Sequence, residues 1–512
     1  MRMLPVLVAA LALAPVAPAA ASSRQESMME DTQELLQGGP ARRAAALDEL
    51  AGLGVDIVKV RVQWRTLAPN GASEARPAFN ASDPAGYPPG AFEALDDVVT
   101  GATQRGLKVF FMLSPPAPEW ATKRGERAGH AGVLRADPAD FGRFVEAVGR
   151  RYSGTRGLPA VRMWSIWNEP NHPQFIQPLS ERLGGRLAPS SPHQYRRLYA
   201  AAQGALARSG HARDTVLFGE ILPVGQGRLS ATSTLRPILF LREFFCLDQS
   251  YRPYRGAAAR ARGCTRFPKL RMSGLAYHAY TKPGGPRVPL PSPDDATIGQ
   301  VRRIEAALDR IAVRTRRLRR GMPIYNSEFG LQTDPPDCAG FGTSLTNQAA
   351  FLNEAEWVSF SRPRVKTYSN YLLVDDAIRT QFEPGTNRRY QGFQTGLRYG
   401  PFAVRCESPD IALASGSAKQ PGYDAFRTPI YVRRLRGAVQ VFGLARPRKG
   451  QAQAIEVLRD GAVVKTVTTS GYFLTSVRGG TSGRWQLRWS FGGQTYTSRL
   501  ARALADPPPR SL

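Results

Sequence analysis

The sequence predicts an α/β fold, a (β/α)8 barrel of parallel strands followed by a small antiparallel β-sandwich. Three observations lead there. Between Ala41 and Tyr431, short apolar runs rich in β-branched residues alternate with longer amphipathic stretches. The short runs are nearly continuous in apolar residues, as parallel strands covered on both faces must be. Beyond Tyr431 the pattern changes to brief alternating runs separated by Gly-containing turns. An open doubly wound sheet would also alternate, but it normally carries a Gly-rich phosphate turn early, and the chain has none.

Taken in order, a short run near Ser27 to Leu36 is the candidate first strand. Ala41 to Leu53 reads as a helix ended by Gly54, and Val55 to Trp64 as the second strand. Phe92 to Gln104 is helical, and Leu107 to Leu113 is the third strand. Pro138 to Tyr152 is a helix with Asp137 as its N-cap and Pro138 at its first position. Val161 to Trp167 is the fourth strand, and a long loop runs from it to Pro192. The helix His193 to Ser209 and the strand Thr215 to Gly219 follow. Next come a helix at Pro237 to Leu247, a strand at Met272 to Tyr277 and a helix at Thr297 to Arg319. Pro323 to Asn326 is the seventh strand, Leu345 to Phe360 a helix, and Val365 to Leu373 the last strand.

About eight such units over about 400 residues suit a barrel with long loops. The later runs, from Val439 to Phe442 through Thr495 to Leu500, turn at Asp460-Gly461 and Gly492-Gly493. They suit a sandwich. The expected divisions are a secretory leader at 1–21, the barrel at 22–431, the sandwich at 432–505 and a loose Pro-rich tail at 506–512. The leader is read from Arg2, the apolar run Leu4 to Ala14 and the small residues Ala19-Ala20-Ala21. That run is too short for a membrane span, which takes ~20 apolar residues. The chain is therefore expected to be secreted.

Lys and Arg outnumber Asp and Glu 69 to 41, a net charge of +28. The basic residues are spread along the chain, with no zinc-finger, RNA-binding-sheet or basic-zipper pattern. The charge is thus read as a diffusely basic surface able to touch anionic cell-surface polymers, with no specific nucleic-acid partner. Four cysteines in an exported chain allow two disulfides with three pairings. Cys246–Cys264 and Cys338–Cys406 are the expected ones. With five His, no clustered His and no Cys-x-x-Cys, neither a metal nor a cofactor is expected. The chain is expected to act as a monomer.

Barrel active sites lie at the C-terminal ends of the strands. The fourth strand ends in Trp164-Ser165-Ile166-Trp167-Asn168-Glu169-Pro170-Asn171, and the seventh runs into Asn326-Ser327-Glu328-Phe329-Gly330. Both acids therefore open onto one mouth, with Arg61 and the stretch Tyr277 to Tyr280. Two carboxyl groups across a glycosidic bond can do a whole reaction, one giving a proton to the leaving oxygen and the other attacking the anomeric carbon. Glu169, between Trp167 and Pro170, suits the acid. Glu328, within reach of Arg61 and Tyr280, suits the ionised partner, because nearby cations and donors lower a carboxyl pKa. Asn168 is placed to donate to a sugar hydroxyl. Trp64, Trp120, Trp167 and Phe175 are candidates to pack on sugar faces.

These residues resemble clan A glycoside hydrolases. Trp167-Asn168-Glu169-Pro170 is similar to the acid/base signature after strand four, and Ser327-Glu328-Phe329-Gly330 to the nucleophile signature after strand seven. His278-Ala279-Tyr280 resembles the His-x-Tyr of family 5, and Arg61 matches the Arg of strand two. The form Trp-Asn-Glu-Pro-Asn is also similar to family 39. The chain departs at strand eight, where Tyr368, Tyr371 and Leu372 stand in place of a common Trp. The resemblance implies a retaining β-glycosidase, with Glu169 as acid/base, Glu328 as nucleophile, and an oligo- or polysaccharide substrate. A transglycosylase, or a non-catalytic carbohydrate- or wall-binding protein, would carry the same barrel.

Overall fold

The computed structural model describes residues 25–123, 132–383, 385–405, 408–447 and 450–505. The expected leader at 1–21, the tail at 506–512 and Cys406 lie outside the described residues. Eight parallel strands close into a barrel in which each pairs with its neighbours in chain order. They are β1 (Glu26–Glu30), β2 (Ile57–Gln63), β3 (Lys108–Ser114), β4 (Met163–Ile166), β5 (Thr215–Ile221), β6 (Gly274–His278), β7 (Ile324–Glu328) and β8 (Val365–Tyr371). Helices α1 (Gly39–Leu53), α2 (Glu93–Gln104), α3 (Pro138–Arg151), α4 (Ser191–Leu206), α5 (Pro237–Phe244), α6 (Val301–Thr315) and α7 (Leu345–Phe360) alternate with them. The Asp137 side chain accepts from Asp140 N and caps α3, as its sequence position predicts.

The alternation of each strand decides what enters the barrel. In β2, Val58, Val60 and Val62 face the helices and join the main core. Ile57 faces inward and meets Met28, Phe110, Leu217 and Ala276 in a separate apolar plug. The next inward positions up β2 are Lys59 and Arg61, so the plug gives way to charge toward the strand C-termini.

Beyond the barrel, β9 (Ile430–Leu435) opens the antiparallel part and pairs with β10 (Ala438–Leu444), which pairs with the strand Tyr472–Arg478. The second sheet is built on Gln453–Arg459, Ala462–Thr469 and Arg484–Phe491. Asp460 and Gly461, both at positive φ, make the two-residue hairpin turn expected of that dipeptide. The two sheets bury Val439, Val441, Ile455, Val457, Trp485 and Leu487 between them. Their outer edge is pressed onto α7. Trp357 stacks on Tyr431 at 4.6 Å, and Phe360 meets Phe442 at 5.0 Å and Tyr472 at 5.3 Å. Arg446, fully buried, pairs with Glu356 of the same helix.

Two expectations are corrected. The stretch from strand four to Pro192 is not all loop, because Ser180–Leu183 and Arg186–Pro189 form a hairpin around Gly184 and Gly185. The long basic helix ends at Thr315, where Arg316 turns left-handed, rather than at Arg319. Cys246 and Cys264 are bonded, with Cα atoms 5.8 Å apart. Among the described residues no helix is long and apolar enough to cross a membrane.

Candidate active site

At the C-terminal mouth, β4, β6 and β7 bring Glu169, His278 and Glu328 together. One side-chain N or O atom from each lies within 4.8 Å of the other two. His278 Nδ1 is 2.8 Å from Glu169 Oε1 and 3.2 Å from Glu328 Oε2. Its Nε2 is 2.7 Å from Glu220 Oε2. Lys59 Nζ donates to Glu328 Oε1 at 2.7 Å and lies 3.0 Å from Glu30 and 3.3 Å from Glu220. Tyr280 OH donates to Glu328 Oε2 at 3.1 Å.

Local backbone shape places the acids. Trp167 and Glu169 both have positive φ, 71° and 36°, so the chain leaves β4 in a sharp turn that swings Glu169 over the mouth. Bulky residues adopt that region at a cost of order 1–3 kcal/mol each, which the surroundings must cover. Packing around Trp167 and the bond from Glu169 N to Glu220 O at 3.0 Å hold it. Glu220 reaches the interior through a bulge. The register of β5 against β6 shifts between Gly219 and Ile221, and Glu220 sits at φ 51°. The extra residue re-aims its side chain, a common use of bulges near sites. Gly219 permits this approach, since a Cβ there would lie 2.5 Å from Ala276 O.

The electrostatics follow from burial and neighbours. Burial alone would raise the Glu328 pKa, but His278 and Lys59 outweigh it and hold the carboxyl below its usual range. Burial likewise opposes the charge on Glu220, yet Lys59 and His278 bring its pKa down to about 2. Burial would make His278 neutral, but Glu328, Glu169 and Glu220 push its pKa up to about 10. Burial raises the Glu30 pKa, against the pull of Lys59. Four carboxyl groups thus meet three basic side chains, Lys59, Arg61 and His278. Glu169, His278 and Glu328 are also donor types that metals use. His278 Nδ1 and Nε2 are both engaged with carboxylates, Glu169 and Glu220.

A cavity of about 450 Å³ opens above the cluster, within the roughly 300–1,000 Å³ usual for small-ligand sites. Arg61, Asn168, Glu169, Tyr280, Glu328 and Tyr371 line it, along with His172, Gln174, Phe175 and Phe393. Asn168 is buried, and no donor among the described residues reaches its Oδ1. Arg61 approaches Glu30 at 3.6 Å, so the direct cationic partners of Glu328 are Lys59 and His278 and not Arg61.

The structure brings Glu169, Glu328, Asn168, Arg61 and Tyr280 to one cavity, and sets His278 beneath it against both acids. It does not bring the three tryptophans there. Trp64 stacks on Phe144 and is buried beneath Trp120. Trp120 donates Nε1–H to Pro69 O and carries Arg76 on its ring. Trp167 packs edge-on against Phe141 and donates to Phe175 O. All three are core, and the aromatic surfaces of the cavity are Phe175, Tyr280, Tyr371 and Phe393. Sequence reasoning missed Lys59, Glu220 and Glu30. The signal for Lys59 was its spacing of two from Arg61 within an otherwise apolar strand.

No protein-family model and no curated protein matches the chain. Among solved structures, it is similar to a glucosidase from Croceicoccus marinus, at 14% identity over 90% of this chain and 82% of that one, with a TM-score of 0.49. It is similar to a family 39 glycoside hydrolase from Bacteroides cellulosilyticus WH2, at 13% identity over 90% and 81%, with a TM-score of 0.48. A monomeric beta-xylosidase from Caulobacter crescentus CB15 aligns at 13% identity over 90% and 95%, with a TM-score of 0.47. The chemistry is read from the side chains.

Proposed function

We propose that the chain is a secreted retaining β-glycosidase. The observation that carries this is the closeness of two carboxyl groups, Glu169 and Glu328, whose facing oxygens lie within 4.8 Å and share His278. Retaining enzymes hold their carboxyls about 5–5.5 Å apart, and inverting enzymes about 6.5–9.5 Å, to admit a water. Glu328, ionised beside Lys59 and His278, attacks the anomeric carbon. Glu169 gives its proton to the departing glycosidic oxygen as that bond breaks. A glycosyl ester on Glu328 results. Water then attacks the same carbon, Glu169 takes the water's proton, and the ester bond to Glu328 breaks.

The remaining residues position these two. His278 fixes Glu169 through Oε1, leaving Oε2 to carry the proton toward the substrate. Glu220 and Ser327 fix His278 from beneath, since Ser327 Oγ donates to Glu220 Oε2 at 2.6 Å. Lys59 and Tyr280 steady the Glu328 carboxylate. Asn168 keeps free hydrogen-bonding capacity for a sugar hydroxyl, a contact that strengthens in the transition state.

A 2-fluoro glycoside that stalls the second step is the test. Mass spectrometry of peptides from the treated protein is expected to find the sugar on Glu328. A label on another residue, or unchanged hydrolysis of aryl glycosides by Glu328→Gln, would reject this assignment. Nuclear magnetic resonance of the first-formed sugar is expected to show the β-anomer, and an α-anomer would reject retention.

A further inference from the structure

A second cavity of about 450 Å³ adjoins the first, sharing Tyr280, Thr281, Lys282 and Phe393 with it. We propose that it is a second sugar-binding subsite on the glycone side, so that the substrate presents at least two sugar units before the cleaved bond. The proposal rests on the reading of Glu169 and Glu328 above.

The side chains suit a sugar. Phe341 is 61% exposed and Phe393 is 45% exposed, two large apolar rings that stand largely open, Phe393 meeting Tyr371 edge to face. Both line this cavity. Exposed aromatic faces of this kind mark sites for amphipathic ligands. The amides of Asn387 and Gln391 line the same cavity. Gln391 Oε1 accepts from Arg379, which leaves its NH2 group to donate. Gln332 is turned onto Gln394, donating to its Oε1 and accepting from its N–H. Asp337 lines the cavity while only 2% exposed, and its Oδ1 accepts from Ala339 N at 2.8 Å. A carboxylate offers about four acceptor sites, so it retains capacity for a pair of hydroxyls. Apolar rings beside amides and a carboxylate are the chemistry that binds a carbohydrate, whose ring faces are apolar and whose rim is hydroxyl.

The side of the bond follows from the walls. The leaving group must lie against Glu169, which gives the proton, at the end of β4. The second cavity is walled by the segments after β6, β7 and β8, with Gly330 and Leu331 following directly on Glu328. No residue that follows β4 or β5 lines it. It therefore extends away from the acid, on the side of the sugar that stays on the nucleophile. Lys282, which lines both cavities, stands at the junction between the two units.

The test compares 4-nitrophenyl β-glycosides of glucose, xylose and mannose with those of the corresponding β-linked disaccharides. Binding energy from a remote sugar is expressed as a higher kcat/KM. In at least one series the disaccharide is expected to be the better substrate by about tenfold or more, a factor that one well-packed sugar can supply. Phe341→Ala and Asn387→Ala are expected to bring the disaccharide-to-monosaccharide ratio toward one. Calorimetric titration of the same sugars into Glu169→Gln reads the cavity whether or not the bond is cleaved, and affinity is expected to rise with the second sugar. Equal kcat/KM and equal affinity for one and two sugars in every series would overturn the proposal. So would a ratio that Phe341→Ala and Asn387→Ala leave untouched. Failure of the glycosidase reading shows itself separately, in the identity of the residue labelled by the 2-fluoro glycoside.

Discussion

Lys59 and Lys419 are both fully buried lysines held by carboxylates, and they keep different company. Lys419 donates to both oxygens of Asp375 at 2.9 Å and to Gln394 O at 3.1 Å. One cation meets one anion, and the three ammonium donors are used. Lys59 meets three carboxylates, in a cluster where four acids face three cations. The pKa values differ accordingly. Burial lifts Asp375 to about 6 even with Lys419 beside it, whereas the cations around Glu220 hold it at about 2. The Lys419 pair closes on itself and braces the segment whose Phe393 and Thr395 wall the second cavity. The Lys59 cluster is left unbalanced at the edge of a void. Charge that must act is kept mismatched and accessible, and charge that must only hold is matched and sealed.

The largest test of this contrast is Glu328→Gln. It is expected to lower kcat/KM by at least about 10⁴-fold, on the scale seen when a nucleophile is removed. Its melting temperature should change less than that of Lys419→Met. A comparable loss of activity in both variants would erase the distinction. Next come the lysines themselves. Removing one partner of a buried pair costs about 3–5 kcal/mol, because a charge is left uncompensated. Lys59→Met and Lys419→Met should both show this loss in urea denaturation. Only Lys59→Met should also abolish turnover at a temperature where the variant is folded.

The third test uses pH. The folded pKa of His278, about 10, stands above its ordinary 6.5, so its contribution to stability is complete below pH 6.5 and is lost as pH rises toward 10. The folded pKa of Glu220, about 2, stands below its ordinary 4.5, so its contribution is complete above pH 4.5 and is lost as pH falls toward 2. The cluster is therefore firmest between those limits. Melting temperature should decline from pH 6.5 to 10 more steeply in the wild type than in His278→Gln, and parallel curves would contradict the charge assigned to the ring. The smallest effect concerns the aromatics. Phe175→Ala should raise KM several-fold, about 3- to 10-fold, with little change in stability. Trp64→Leu should cost about 1–3 kcal/mol of stability with KM unchanged.

Much of this was legible in the sequence. The bounds of α7, Leu345–Phe360, match the sequence reading, and the motif marks Glu328 as the acid after β7, although the strand runs on to Glu328 itself rather than ending at Asn326. Glu220 was not legible. The run Thr215 to Gly219 looks finished at its glycine, and only the pairing with β6 reveals that the strand continues through a bulge. Lys59 was hidden differently. A lysine in an apolar strand reads as an edge residue until barrel closure turns its face inward. Trp64, Trp120 and Trp167 misled because an aromatic near a strand end can point to the mouth or to the helices. Local sequence does not separate these, and here Trp64 and Trp167 pack on Phe141 and Phe144 of α3, while Trp120 packs on Trp64 and Phe79.

The contact between α7 and the C-terminal sheets bears on modularity. Trp357, Phe360 and Glu356 belong to the barrel, and their cover belongs to Tyr431, Phe442, Tyr472 and Arg446. A truncation ahead of Arg433 would leave Tyr431 on Trp357 but strip Phe442 and Tyr472 from Phe360 and Arg446 from Glu356. The two parts should melt in one transition and tolerate no swapping with foreign appendages. A shortened protein made to ask whether the sandwich binds glycan would report instead on a barrel that has lost part of its own core.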